Sequence, residues 1–150
     1  MENEKILFHI YGTGSQGKTT VIKKLYFKIK EEFPNLSVIE ESLSDDIKCV
    51  VVIGNCRIGV ESQGDPNSRI FKSLKYFVEK KCNIILCCSR TKGYTIEAVN
   101  QLKSEYKIER FRKYAERDIS KRKYADEKFV NLVWSKMDLY IKEISTRAVV

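Results

Sequence analysis

Residues Lys5–Thr20 read K-I-L-F-H-I-Y-G-T-G-S-Q-G-K-T-T. The apolar run Lys5–Tyr11 stops at a glycine-rich loop, the pattern of a short buried strand. From Lys18 to Phe33 the period changes. Val21, Ile22, Leu25, Tyr26, Ile29 and Phe33 recur at helical spacing with lysines between them, until Pro34 and Asn35 end the segment. Between strand and helix, Gly12, Gly14 and Gly17 let the backbone turn tightly and aim successive N–H groups inward, which makes a nest for an anion. A helix starting near Lys18 adds the partial positive charge of its N-terminus. The stretch is therefore expected to hold phosphate.

The eight residues Gly12, Thr13, Gly14, Ser15, Gln16, Gly17, Lys18 and Thr19 satisfy G-x-x-x-x-G-K-[ST] at every fixed position. With their flanks, residues 5–33 resemble the first strand, Walker A loop and first helix of the P-loop NTPase superfamily. That resemblance implies a parallel sheet with its phosphate site at the strand C-termini. It implies a nucleoside triphosphate held by the loop from Gly12 to Thr20, with Lys18 on the β- and γ-phosphates and the Thr19 hydroxyl on Mg²⁺. The rest of the chain is similar to short, kinase-like bacterial ATP-binding proteins of this class, in which S-x-G-D-like and R-T-x-G-like loops recur. Here these are Ser62-Gln63-Gly64-Asp65 and Arg90-Thr91-Lys92-Gly93.

Outward from the motif, strand and helix patterns alternate. Ser37–Glu41 and Lys48–Ile53 read as strands. Arg57–Glu61 pairs with the latter as a hairpin across Gly54-Asn55-Cys56. Ile70, Leu74, Phe77 and Val78 mark a helix, capped by Asp65 or Asn67. Asn83–Cys88 is the most continuous apolar run and reads as an interior parallel strand. Thr95–Ser104 is a helix. Tyr106–Phe111 is an edge strand or a continuation of that helix. Arg112–Lys128 is a charged stretch, and Phe129–Ile144 a closing helix. The fold class expected is α/β, a single three-layer P-loop domain over residues 1–150. Its sheet is mostly parallel, with helices on both faces and one antiparallel hairpin.

A phosphate-transfer site also needs a carboxylate for the metal. Glu61 is the first candidate, in Glu61-Ser62-Gln63-Gly64, which resembles the D-x-x-G element of GTPase-like proteins with Glu for Asp. Asp65 competes with it, and Gln63 is placed to orient a water or an acceptor. Glu40 and Glu41 form another carboxylate pair, because small P-loop kinases use carboxylates near that strand end. Asp45 and Asp46 cap or precede the third strand. Arg90 and Lys92 follow a strand and so open on the C-terminal sheet edge, where open α/β sheets bind ligands; Arg90 is taken as catalytic with Lys18 and Glu61. Guanine-selective proteins carry N-K-x-D where this chain has Ser89-Arg90-Thr91-Lys92, which leans the nucleotide to ATP. The basic cluster Arg110, Arg112, Lys113, Arg117, Lys121, Arg122 and Lys123 reads as a phosphate lid, a nucleic-acid patch or a solvated surface. His9, Trp134 and Tyr140 read as core.

The 150 residues are 43% apolar and 32% charged, an ordinary globular composition, and the net charge of +8 favours anionic partners. Cys49, Cys56, Cys82, Cys87 and Cys88 have no C-x-x-C spacing. They read as buried free thiols of a reducing, cytoplasmic setting. No apolar run has the length of a membrane span. The function expected is phosphoryl transfer from ATP to an anionic small-molecule or nucleotide acceptor. Its alternatives are an NTPase switch that hydrolyses ATP or GTP and signals to a partner, or a nucleic-acid-associated ATPase.

Overall fold

The computed structural model describes residues 4–12, 17–65 and 68–147. Among these, six strands and four α-helices follow one another as β1 (Ile6–Tyr11), α1 (Lys18–Glu32), β2 (Ser37–Leu43), β3 (Ile47–Ile53), β4 (Cys56–Glu61), α2 (Ile70–Glu79), β5 (Ile84–Ser89), α3 (Tyr94–Asn100), β6 (Lys107–Arg112) and α4 (Arg122–Ser145). A short 3₁₀ turn, Ile119–Lys121, precedes α4.

All six strands join one sheet in the order β2-β3-β4-β5-β1-β6. The pairs β4–β5, β5–β1 and β1–β6 are parallel. The expected hairpin is present, with β3 and β4 in register from Ile53↔Cys56 to Lys48↔Glu61. Gly54 turns it with a left-handed φ of +55°. A second antiparallel pair, β2–β3, was not anticipated. Strand β3 is therefore the one reversed strand, and its start lies beside the end of β4. Thus the β2–β3 turn shares a sheet edge with the C-terminal ends of β1, β4, β5 and β6.

Alternation along the central strands sends side chains to two helix layers. Ile6, Phe8 and Ile10 of β1, with Ile58 and Val60 of β4, pack against α1 and α4. Leu7 of β1 and Ile85 and Cys87 of β5 pack against α2 and α3. Val21, Ile22, Leu25, Tyr26 and Ile29 of α1 are fully buried, each worth about 1.5–3 kcal/mol. Burial of this stripe fixes the direction in which α1 leaves the glycine loop. Trp134 and Tyr140 do belong to the core side of α4, packing on Phe33 and Phe8. All five cysteines are buried free thiols.

Some boundaries differ from the sequence reading, and one open alternative is settled. Helix α3 ends at Asn100 rather than Ser104, and β2 runs on to Leu43. Lys107–Arg112 is an edge strand paired to β1, so the helical continuation is excluded. The closing helix begins at Arg122 rather than Phe129. Its first two turns are largely exposed, so they carry no apolar stripe, but Ala125, Glu127 and Lys128 are good helix formers. Asp126 also ties this end down through an ion pair to the buried Lys113 at 3.1 Å. No helix among the described residues is long and apolar enough to cross a membrane.

Candidate functional site

The loop after β1 reaches α1 through Gly17, whose φ of +79° is left-handed. Helix α1 then starts without a side-chain cap at its N-terminus. Its first residue, Lys18, is buried, and its ammonium donates to the Gly12 carbonyl at 3.0 Å. Burial lowers the Lys18 pKa from its ordinary value; Cys88 and Asp65 oppose that shift and Arg90 adds to it. Gly12, Gly17, Lys18, Thr19 and Thr20 all gather at the start of α1. Thr13, Gly14, Ser15 and Gln16 lie outside the described residues.

A cavity of about 290 Å³ opens between this helix start and the segment after β4. Gly17, Lys18 and Thr19 form one wall, Ser62, Gly64 and Asp65 the other, and Cys88 of β5 lies between them. The Ser62 peptide joins the parts. Its carbonyl accepts from the Thr19 hydroxyl at 3.3 Å and from the Cys88 thiol at 3.1 Å. Its own hydroxyl accepts from the Ile47 N–H at 2.7 Å and donates to Asp46 Oδ1 at 3.0 Å. Gly64 is packed so closely on the Cys88 carbonyl that a Cβ there would overlap it. An adjoining space of about 240 Å³ is lined by Thr19, Asp46, Gln63, Asp65 and Ser68. The Ser68 hydroxyl is the buried side-chain oxygen, among the described residues, that has no hydrogen-bond partner.

Glu61, expected at the metal, does not line this cavity. Ile58 and Val60 point toward α1, so Glu61, next in the alternation, points to the opposite face. Thr19 and the Glu61 carboxylate thus lie on different sides of the sheet. The carboxylate is fully buried and accepts from Arg69 Nε at 2.7 Å, Arg69 Nη2 at 3.1 Å, the Gln63 N–H at 3.0 Å and the Ser73 hydroxyl. Its acceptor sites are committed to organising the turn into α2. Asp65 is the carboxylate lining this cavity, and Asp46 lines the adjoining space with it. The β2–β3 turn delivers Asp46 because β3 is reversed, and no local sequence signal marks it apart from the hairpin register.

Arg90 does stand near the cavity, its Nε 3.4 Å from Asp65 Oδ1 and its backbone N–H held by the Thr95 hydroxyl at 3.1 Å. Lys92 is exposed. Glu40 and Glu41 lie elsewhere, on opposite faces of β2. Glu40 pairs with Lys48 at 3.9 Å, while Glu41 accepts from Lys30 at 2.7 Å and from the Tyr26 hydroxyl. The basic cluster is dispersed. Arg110 reaches His9, Lys113 is buried against Asp126, Arg122 binds the Glu116 carbonyl and Arg112 stacks on Tyr11 and Tyr114.

His9 is more than packing. Arg110 donates to its Nδ1 at 2.9 Å, so its Nε2–H donates to the Ser89 hydroxyl at 2.7 Å, which in turn donates to the Arg90 carbonyl at 2.8 Å. Burial, then the Arg110 charge, lowers the His9 pKa to about 3, so the ring stays neutral and the relay keeps one direction. On the other side of Gly17, a cavity of about 280 Å³ is lined by Thr20, Lys113, Glu116, Arg122 and Asp126.

No family model and no curated protein matches the chain. Among solved structures, the crystal structure of APE1195 aligns with 99% of this chain and 81% of its own length, at 14% identity and a TM-score of 0.41. A likeness of that size carries no argument about function. The site therefore stands on its own chemistry.

Proposed function

We propose that this chain is a P-loop protein of three-layer α/β/α architecture that binds a nucleoside triphosphate, ATP with Mg²⁺, and transfers the γ-phosphoryl group to a small anionic acceptor. The observation that carries the reading is the buried Lys18 side chain at the start of α1, lining a polar cavity together with Asp65. A lysine side chain and a helix N-terminus at the same cavity both favour an anionic ligand there.

The residues fit the metal as well. Thr19, Ser62, Asp46 and Asp65 present hard oxygen donors, and the unpartnered Ser68 hydroxyl borders the same space. Among the described residues no three His, Cys, Asp or Glu side chains cluster as a cage. Mg²⁺ commonly needs only one or two carboxylates beside phosphate oxygens and water. When bound there, it would neutralise charge on the phosphates as the group moves. Lys18 and the first N–H groups of α1 hold the β- and γ-phosphates, Thr19 and one of the two aspartates orient the metal, and Arg90 meets charge on the acceptor side. The cavity beyond Gly17 suits the nucleoside, with Glu116 and Asp126 available to accept from its amino group and ribose hydroxyls.

A second reading, a nucleotide-driven switch, is favoured by the tie from the Asp65 segment to α2 through Arg69 and Ser73. One experiment separates the two: Mg²⁺-dependent ATP consumption with and without nucleosides, nucleoside monophosphates and small phosphorylated or carboxylated metabolites. A phosphorylated acceptor establishes transfer. ATP binding with no stimulating acceptor favours the switch, and failure to bind either ATP or GTP overturns both.

A further inference from the structure

Helices α2 and α3 are not sealed against each other. Between them lies a groove of about 420 Å³, walled by Phe71, Leu74, Val78 and Leu102 and floored by Ala98. That volume is within the roughly 300–1,000 Å³ of small-ligand clefts. Lys72 and Lys75 project from α2 along its rim, and among the described residues no carboxylate lines it. An apolar trough with two cations on one margin matches a molecule with a hydrocarbon body and a single anionic head. We propose that the groove is a second ligand site, taking an aliphatic or aromatic carboxylate, the body between the helices and the head on Lys72 and Lys75.

The groove is connected to the cavity at Lys18 by short paths. Helix α2 begins directly after Arg69, whose side chain grips Glu61 and whose backbone N–H donates to Gln63 Oε1, so its N-terminal end sets the Gly64–Asp65 segment. Helix α3 begins beside Thr95, which holds the backbone of Arg90. The two helix starts touch through Phe71 and Tyr94, ring centroids 4.5 Å apart. A molecule wedged between α2 and α3 would alter the relation of the two loops that carry Asp65 and Arg90. This coupling rests on the nucleotide reading above; occupancy of the groove does not.

Decanoate is the probe, with decyltrimethylammonium as its oppositely charged counterpart. Titrated into the isotope-labelled full chain, decanoate is expected to shift amide resonances of α2 and α3, and binding is expected to weaken at least tenfold in the double variant Lys72→Glu/Lys75→Glu. Both lysines are exposed, so that variant retains the fold. Decyltrimethylammonium should reverse the order, preferring the variant. Absence of decanoate shifts in α2 and α3, or equal affinity in both proteins, overturns the proposal. In a second arm, saturating decanoate should change ATP·Mg²⁺ affinity, with the reciprocal change in decanoate affinity. Decanoate binding without any ATP binding would leave the groove standing and remove the nucleotide reading. ATP binding without decanoate binding would do the opposite.

Discussion

Replacing Glu61 by Gln distinguishes a carboxylate that organises the fold from one that holds a metal. In the structure its oxygens are fully buried and meet four donors, two of them on Arg69. The amide keeps the shape, loses the charge, and turns an NH₂ group toward a donor. Hydrogen bonds to a charged group are worth about 1.5–3 kcal/mol each, but the Arg69 side chain is 32% exposed and recovers part of its hydration. The expected loss is about 2–3 kcal/mol, which lowers Tm by roughly 4–12 °C in a domain of this size. Arg69→Met should cost more, about 3–5 kcal/mol, because it strands a buried carboxylate. The double variant should lose less than the sum of the two, since no buried charge then remains. Calorimetric and urea unfolding of the four proteins close the cycle. ATP binding should weaken equally with and without Mg²⁺ in Glu61→Gln, through displacement of the segment after β4. A Tm within about 2 °C of the parent, together with selective loss of the Mg²⁺ effect, would refute this reasoning and return Glu61 to the metal.

Three other outcomes are expected. Lys18→Ala should lower ATP affinity roughly 10- to 150-fold, the equivalent of about 1.5–3 kcal/mol; unchanged affinity by titration calorimetry would contradict it. His9, lowered to about 3 by burial and Arg110, stays neutral in the folded chain while the unfolded chain takes up a proton below about 6.5. Its contribution is therefore intact above pH 6.5 and is lost as pH falls toward 3, by up to about 1.4 kcal/mol per unit. His9→Gln should flatten that part of the urea-midpoint profile, and parallel profiles for the two proteins would argue against it. Gly64→Ala must push its segment off the Cys88 carbonyl, so ATP binding should fall at least tenfold while far-UV circular dichroism is unchanged; wild-type affinity would show that the segment does not border the ligand.

Periodicity revealed most of the architecture because burial on these elements is one-sided and regular. The apolar positions Val21 to Ile29 all reach the core, and the Ile53–Cys56 turn sits where Gly54 permits it. The start of α4 was illegible for the converse reason: residues 122–128 gain stability from propensity and one ion pair, which leave no apolar stripe. At the site, the placement of Lys18 and Thr19 at the start of α1 was legible because it follows from the local strand–loop–helix pattern. The direction of the Glu61 side chain was not legible because a strand-end carboxylate has two faces to choose from. The choice is settled by Arg69 and Ser73, residues on another element. Asp46 was passed over because its place depends on the reversal of β3, a long-range pairing that leaves little trace in the β2–β3 turn.

The position of β5 explains much of the chemistry. It separates β1 from β4, so the two loops that meet the proposed phosphates start about 10 Å apart, two strand spacings. The Asp65 segment must cross the end of β5 to face Lys18. Gly64 allows this by lying directly on Cys88, and the Glu61 grip on Arg69 holds the crossing from the far side of the sheet. The charges gathered there are Lys18 and Arg90 against Asp46 and Asp65, a formal balance of zero. The N-terminus of α1 adds only about half a positive charge. A triphosphate carries several negative charges, and this site cannot neutralise them with side chains alone. On the proposed reading, a divalent cation between Thr19 and the two aspartates would therefore strengthen binding. The overall charge of +8 draws anions to the surface, but in this cavity further positive charge would have to come from a cation bound with the nucleotide for the charges to balance.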